Sequence, residues 1–249
     1  MNEILWTIFG LGLPFLSTAI GASLVFFMKK NSEKFQSIAL AVSAGIMLAG
    51  SFFSLILPAI QMSESQNIVP CIPVGTGIII GMLFLFLAEM LLLKKTAKKN
   101  NNFLLVSAIT LHNIPEGMVV GLAFGIYLLN PTSATLWSAL SLSIAISIQN
   151  IPEGSSVSMP LYAKGMTRKK SFFYGMLSGI VEPVGAILSL LLVEIINSIL
   201  PFLLAFSAGC MIFVVVKELV PESQNQNKTL STIFFFVGFL IMLVLDTTL

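Results

Sequence analysis

Long apolar runs follow one another along the whole chain, separated by short polar segments. Most runs are longer than about 20 residues, the length that a helix needs to cross the hydrocarbon core of a bilayer. Lipid accepts only helices and closed barrels as spanning structures, and the absence of period-two alternation favours helices. The pattern therefore predicts one all-α domain with eight transmembrane helices, over residues 3–28, 35–60, 73–93, 103–129, 134–162, 171–197, 201–220 and 230–249.

The composition agrees with an integral membrane protein. The 249 residues are 56% hydrophobic and 10% charged, with a mean hydropathy of +0.97, outside the usual range of soluble domains. The first run lacks a basic start and a cleavage motif, so we expect it to be retained. Cys71 and Cys210 are too few for a disulfide framework. The chain contains neither a P-loop nor a dinucleotide-binding motif.

The basic residues predict the orientation. Eleven of the 13 lysines and arginines lie in the segments 29–34, 94–99 and 164–170, which follow the first, third and fifth predicted helices. Short basic loops stay in the cytoplasm, so both termini are expected to face outward. The small excess of positive charge follows from this topology and points to the lipid bilayer as partner, with no nucleic acid.

Polar residues inside the predicted helices are the candidate functional groups. The sequence Asn-Ile-Pro-Glu-Gly occurs twice, in the fourth and the fifth helix, and each copy is preceded by a further polar residue. The spacing i, i+1, i+4 places the first and last polar residue one turn apart. With a glutamate of the sixth helix, these residues are expected near the bilayer midplane: His112, Asn113, Glu116, Gln149, Asn150, Glu153 and Glu182.

The charges of this group indicate a metal ion. Glu116, Glu153 and Glu182 are up to three negative charges in apolar surroundings, and the predicted spans that carry them contain no lysine or arginine. Carboxylates inside a membrane usually mark an ion pathway, and a divalent cation would relieve their repulsion. One imidazole nitrogen among oxygen ligands suits zinc, cadmium, iron(II) or manganese better than calcium.

Prolines and glycines occur beside the candidate ligands. Pro115, Pro152 and Pro183 each lack the N–H that would bond the carbonyl four residues back, which predicts loosened carbonyls. Gly117, Gly121 and Gly125 recur at intervals of four residues, and Gly175 and Gly179 repeat the interval in the sixth helix. Such spacing predicts that a neighbouring helix approaches closely.

Several segments together resemble a known family of membrane transporters. They are HNIPEG, QNIPEG, GIVEPVGA, AGIMLAGSFFSLILPAI, VVVKELVPES and IMLVLD. The chain is similar over nearly its whole length to the Zrt/Irt-like (ZIP) divalent-metal transporters, most closely to their prokaryotic GufA-like branch. The paired motifs of the fourth and fifth helices are the most specific part of this resemblance.

The resemblance implies a transporter of the plasma membrane rather than an enzyme, with zinc or another divalent metal as cargo and no cofactor. The family arrangement implies a binuclear site between helices four, five and six and an alternating-access, elevator-like cycle that carries metal into the cytoplasm. Helices one, four, five and six would move against the other four, which would form a homodimer interface. The resemblance also implies that Met47 is a soft metal ligand and that Ser54, Glu218 and Asp246 lie on the transport pathway.

Three departures from the family pattern accompany the resemblance. Gln149 stands where many members have histidine, which leaves His112 as the only histidine of the chain. Lys217 also occupies a place where histidine is common. The segment LLLKKTAKKNNN after the third helix lacks the histidines that this loop often carries.

Two other functions fit part of the same pattern. Sodium/calcium-type cation exchangers also carry paired Asn-x-Pro-Glu elements, although they usually have more spans. An intramembrane zinc hydrolase would use Glu116 or Glu153 as general base toward a metal-bound water. Such sites commonly use two or three imidazoles, and this chain contains one.

Overall fold

The computed structural model describes residues 2–28, 33–95 and 101–248, with the side chains of 92–95, 101–109, 111–112 and 194–197 outside the description. The described residues form helices and turns, with no β-strand among them. We number the helices α1 (Glu3–Ser23, extended by a 3₁₀ turn Leu24–Phe26), α2 (Glu33–Ser65), α3 (Cys71–Lys95), α4 (Asn101–Leu129), α5 (Ser133–Ala163), α6 (Arg168–Ser178 and Val181–Leu191), α7 (Val193–Val214, continued to residue 223) and α8 (Lys228–Thr248).

The helices have the length and apolarity of membrane spans. Within the described residues, seven of them are long and apolar enough to cross a bilayer. In α4, the apolar part for which side chains are described is shorter, Asn113–Leu129. The fold is thus that of an all-helical, polytopic membrane protein in the part of the chain that the structure describes.

The most extensive contacts join helices into four pairs, α1 with α5, α2 with α8, α3 with α7 and α4 with α6. Both helices of a pair run in the same direction. In the first pair, for example, the hydroxyl of Ser143 donates to the carbonyl of Gly10 at 2.7 Å, and further along both helices Gly154 lies against the carbonyl of Thr18. From the first contact to the second, the residue number rises in both helices, as it does only when the helices are parallel.

In all four pairs, glycines let the two helix backbones touch, and the contacts have the same reciprocal arrangement. A carbonyl of one helix lies against a glycine of its partner, and three residues further along, a glycine of the first helix lies against a carbonyl of the second. A Cβ at any of these glycines would overlap the facing carbonyl oxygen, so the backbones are in direct contact. The contacts are Thr18–Gly154 and Gly21–Ile151, Ile114–Gly185 and Gly117–Glu182, Val42–Gly238 and Gly45–Phe235, and Ile78–Gly209 and Gly81–Phe206.

The glycine spacing of α4 was predicted to admit a close neighbour, and this prediction is confirmed. Gly117 lies against the backbone of Glu182, Gly121 against that of Ala186, and Gly125 against the side chain of Val193. The glycine of each Asn-Ile-Pro-Glu-Gly copy is therefore a packing position, while the Asn and Glu of the motif are free to face another direction of the helix.

The four pairs combine into two groups of helices. The first group contains α1, α4, α5 and α6, and the second contains α2, α3, α7 and α8. The main contacts between the groups are those of α2 with α5 and of α4 with α7. One of them is a hydrogen bond from the Ser43 hydroxyl to the carbonyl of Pro152 at 3.2 Å.

Two helices of the second group contain a widened turn. The π-helical segments Ser51–Ile56 in α2 and Val215–Leu219 in α7 each end two residues before a proline, Pro58 and Pro221. A proline removes one backbone donor and crowds the turn before it, which accounts for the local change of hydrogen bonding.

The structure differs from the sequence pattern at two breaks. α6 is interrupted at residues 179–180, just before Pro183, whereas α4 and α5 continue through Pro115 and Pro152. The sixth helix ends at Leu191 and α7 begins at Val193, several residues before the boundary expected at 197–201. Pro201, at which the predicted seventh helix begins, lies inside α7, while Leu192, a residue without turn preference, has the non-helical backbone.

Candidate metal site

The Glu182 carboxylate lies at the centre of a buried polar cluster. The first turn after the break in α6 carries this residue, which is 1% exposed. Asn113 of α4 donates through Nδ2 to its Oε1 at 3.2 Å, and Asn150 of α5 donates through Nδ2 to its Oε2 at 2.8 Å. A third donor, the hydroxyl of Thr18 in α1, lies 3.0 Å from Oε1. Four helices thus meet at one carboxylate.

These hydrogen bonds fix the orientation of both asparagine amides. The ionised Glu182 carboxylate only accepts hydrogen bonds, so each amide presents its NH₂ group to it and turns its carbonyl oxygen away. The Nδ2 of Asn113 also donates to the carbonyl of Ser178 at 3.2 Å. Neither Oδ1 atom has a hydrogen-bond partner among the described residues, although both are buried. Two amide oxygens are thereby left available as ligands.

The carboxyl groups of the duplicated motif lie in the same region. Glu116 and Glu153 are each 1% exposed, and the Glu182 carboxylate is within electrostatic range of both. Among the described residues, no three histidine, cysteine, aspartate and glutamate side chains form a cluster that would hold a metal by themselves. Among the described side chains, the buried amide oxygens are therefore the groups that can add to the carboxylates as ligands.

One helix of the second group, α2, borders the site. A Cβ at Gly50 would overlap the Oε1 of Gln149, so this glycine makes room for the Gln149 side chain. Met47 is fully buried and lies between Ser43 and Gly50, one turn from each, on the face of α2 that contacts α5. The two polar atoms of the Gln149 amide have no hydrogen-bond partner in the described part of the chain.

For His112, the structure describes only the backbone position. This residue lies within α4, one position before Asn113, and its side chain is outside the described residues. The expected role of its imidazole as the single nitrogen ligand stays a prediction.

Two of the expected pathway residues contact each other. The hydroxyl of Ser54, in the π-helical segment of α2, donates to Oδ1 of Asp246 in the last turns of α8 at 2.6 Å. Ser54 lies one turn beyond Gly50 along α2. The pair is therefore next to the buried cluster in the direction of the C-terminal end of α2.

The third expected pathway residue, Glu218, lines a small cleft on the opposite side of the cluster. The cleft has a volume of about 20 Å³, room for one water molecule or one ion. Its lining includes Ser156, one turn beyond Glu153 in α5, together with Lys164 and Glu222. Leu40 contributes the wall from α2.

Lys217 forms an ion pair with Glu89 between α7 and α3, and its ammonium also lies 5.2 Å from the centre of the Phe213 ring. The side chains are 39% and 19% exposed, and Glu89 lies five residues before the basic segment 94–99 that is expected in the cytoplasm, so we expect water to reach and screen the pair. We expect a double-mutant cycle of Lys217→Gln and Glu89→Gln to give a coupling below about 1 kcal/mol. Melting temperatures in detergent at low and high salt would measure it, and a larger, salt-independent coupling would contradict a screened pair.

Sequence reasoning did not identify Thr18 and Gly50. A threonine or a glycine in an apolar helix is common, and neither stands out by its charge. For Thr18, the segments TAIGA at 18–22 and EPVGA at 182–186 share a Gly-Ala pair three residues after the polar position. This short repeat could have indicated that Thr18 and Glu182 occupy equivalent positions. In the structure, Gly21 and Gly185 make equivalent contacts with Ile151 and Ile114.

Known proteins are similar in sequence to this chain over most of its length. A family model described as ZIP zinc transporter matches residues 93–246. The zinc transporter GufA of Myxococcus xanthus is 34% identical over 94% of both chains. The zinc transporter ZIP11 of Xenopus tropicalis is 30% identical over 100% of this chain and 98% of its own, and the zinc transporter ZupT of Clostridium perfringens is 30% identical over 100% and 97%.

These matches define a membrane transporter rather than an enzyme. The chain belongs to the ZIP family, and the resemblance inferred from the duplicated motifs is confirmed.

Proposed function

We propose that this protein carries divalent transition-metal ions, zinc foremost, into the cytoplasm through a binuclear site in the middle of the membrane. The ligands are the side chains of His112, Asn113, Glu116, Gln149, Asn150, Glu153 and Glu182, with Met47 at the border of the site. The zinc transporters to which the chain is similar support the choice of zinc. The metal is cargo, and no cofactor is needed.

The main support for this proposal is the orientation of the side-chain amides of Asn113 and Asn150. Their NH₂ groups converge on Glu182, and their carbonyl oxygens are left without hydrogen bonds among the described residues, in the same two helices as the buried carboxylates of the motifs. An unbonded amide oxygen costs free energy in an apolar interior. A divalent cation recovers this cost because oxygen atoms are its natural ligands, and it also offsets the repulsion among the glutamates.

The neighbours of the site suggest a route for the ion. Leu40, Met47 and Ser54 follow one another at intervals of seven residues along α2, about 10 Å apart in each step. The first lines the cleft of Glu218, the second borders the site, and the third holds Asp246. An ion would enter beside Ser54 and Asp246, bind at the site and leave past Glu218.

The parallel helix pairs support the proposed topology. If eight helices cross the membrane in alternating directions, odd-numbered helices run one way and even-numbered helices the other. Each of the four pairs joins helices of equal parity, as this arrangement requires. With the basic segments in the cytoplasm, both termini face outward. The single domain 1–249 would lie in the plasma membrane as a homodimer through the second group of helices, and the first group would slide relative to it.

Zinc uptake by proteoliposomes tests this function. Purified protein is reconstituted, isotope-labelled zinc is added outside, and the initial rate is compared with that of protein-free vesicles. Competition by cadmium, manganese and iron(II) ranks the substrates, and calcium is the control that an oxygen- and nitrogen-ligated site should discriminate against. A rate equal to that of empty vesicles for every one of these metals would contradict the proposal.

A further inference from the structure

Thr18 has an unusual position for a side chain of α1. It is fully buried, and its hydroxyl lies 3.0 Å from Oε1 of Glu182, a residue 164 positions later in the chain. We propose that Thr18 is a positioning residue of the metal site, whose hydroxyl holds the Glu182 carboxylate in the orientation that fixes both asparagine amides. This inference rests on the proposed function and adds α1 to the elements that build the site.

The contacts of the backbone place Thr18 and Glu182 in equivalent positions. The carbonyl of Thr18 lies against Gly154 in the second copy of the motif, and the carbonyl of Glu182 lies against Gly117 in the first copy. Three residues after each, Gly21 and Gly185 face the carbonyls of the motif isoleucines. α1 thus supports α5 as α6 supports α4, and the polar side chain at the corresponding position is Thr18 in one case and Glu182 in the other.

The effect of Thr18 reaches the asparagines through Glu182. Oε1 accepts from Thr18 and Asn113, and Oε2 accepts from Asn150. A carboxylate that rotates away from Thr18 would change both acceptor positions at once, because its two oxygens are rigidly joined. The two asparagine amides would lose the partner that turns their NH₂ groups inward and leaves their carbonyl oxygens available.

The Thr18 hydroxyl has two possible acceptors. This hydroxyl also lies 3.3 Å from the carbonyl of Pro14, one turn back in α1. It has a single proton and can donate fully to only one of the two acceptors. The contact with Glu182 is the shorter one, at 3.0 Å, so the hydroxyl donates to the carboxylate and holds it in place for the ion.

Three variants test this role. Thr18→Val removes the hydroxyl and keeps the shape, whereas Thr18→Ser keeps the hydroxyl. Thr7→Val is the matched control, because Thr7 is also a buried threonine of α1, but its hydroxyl bonds only the carbonyl of Glu3 in the described structure, at 3.0 Å. The measured quantities are the KM for zinc uptake by proteoliposomes, zinc binding in detergent by calorimetry, and the melting temperature.

We expect Thr18→Val to weaken zinc binding and to raise the KM by about tenfold, the effect of one hydrogen bond to a charged group. Thr18→Ser should return both to within about twofold of the unsubstituted protein. Melting temperatures should fall by a similar small amount in Thr18→Val and Thr7→Val, since both lose a buried hydrogen bond, whereas the zinc affinity and KM of Thr7→Val should stay unchanged. Zinc affinity and KM that are the same in Thr18→Val as in the unsubstituted protein would overturn the inference, as would an equal loss in Thr18→Ser.

Zinc binding and zinc uptake, measured separately, distinguish a failure of this inference from a failure of the proposed function. If the unsubstituted protein binds zinc but moves none, transport is refuted, and weaker binding in Thr18→Val alone still supports the positioning role. If the unsubstituted protein transports zinc and Thr18→Val does so with the same KM, the function stands and the role of Thr18 is refuted. A protein that neither binds nor transports zinc would overturn both.

Discussion

Zinc uptake is expected to fall at least about 100-fold when Glu116 and Glu153 are both replaced by glutamine. Each carboxyl group is 1% exposed, and each belongs to one copy of the duplicated motif. Removing a partner from a buried charge interaction typically costs about 2–5 kcal/mol, and each 1.4 kcal/mol is about tenfold in binding. The glutamine amides keep the volume of the side chains, so the loss should come from charge and not from packing.

The measurement is the initial rate of labelled zinc uptake by reconstituted double variant and unsubstituted protein at equal incorporation. Glu64→Gln is the matched control, since Glu64 lies exposed in the last turn of α2 and the same chemical change should leave the rate unaltered. A symmetric peak in size-exclusion chromatography and an unchanged melting temperature show that the variant is folded. Uptake within threefold of the unsubstituted rate would remove both glutamates from the transport site.

The largest effect on stability is expected for Gly21→Ala. The new methyl group would overlap the backbone carbonyl of Ile151, which has no rotamer by which to give way, so α1 and α5 would have to separate. Overpacking of this kind costs about 3 kcal/mol or more, and the melting temperature in detergent should fall by on the order of 10 °C. Zinc uptake should fall with it, because α5 carries three of the eight candidate ligands.

Gly12→Ala in the same helix is the matched control. Apart from its two chain neighbours and the backbone of its own helix, no heavy atom of the described structure lies within 4 Å of the place where a Cβ at Gly12 would stand. Both substitutions gain the same helix propensity, so a difference between them reports the helix contact alone. Equal melting temperatures for the two variants would mean that α1 and α5 are not in backbone contact at Gly21.

Much of the candidate site was predictable because its residues break a strong pattern. A carboxylate or an amide within an apolar run is conspicuous, so the two motifs and Glu182 were found without a structure. The same holds for the glycines of α4, whose spacing predicted the close approach of another helix, now seen to be α6. Pairing of distant helices is not encoded in local pattern, and the partners became apparent only in three dimensions.

The features that were not predicted do not differ from the apolar pattern around them. Thr18 carries no charge, and a threonine can satisfy its hydroxyl on its own helix, as Thr7 does. The break at Leu192 has neither glycine nor proline to announce it, while Pro201, which has the appearance of a helix start, is tolerated within α7. In both cases packing against other helices decides the local outcome, and this information is distributed over the whole chain.

The pairing of the helices has a consequence for how the protein is made. α1 meets α5 and α2 meets α8, so the early helices must wait in the membrane for partners that have not yet been synthesised. Between the end of α2 at Ser65 and the start of α8 at Lys228, synthesis takes on the order of ten seconds or more. During this interval the Gly45 face of α2 has only lipid or the insertion machinery against it. The order in which helices leave the ribosome therefore differs from the order in which they find their partners, and the fold closes only when the last helix arrives.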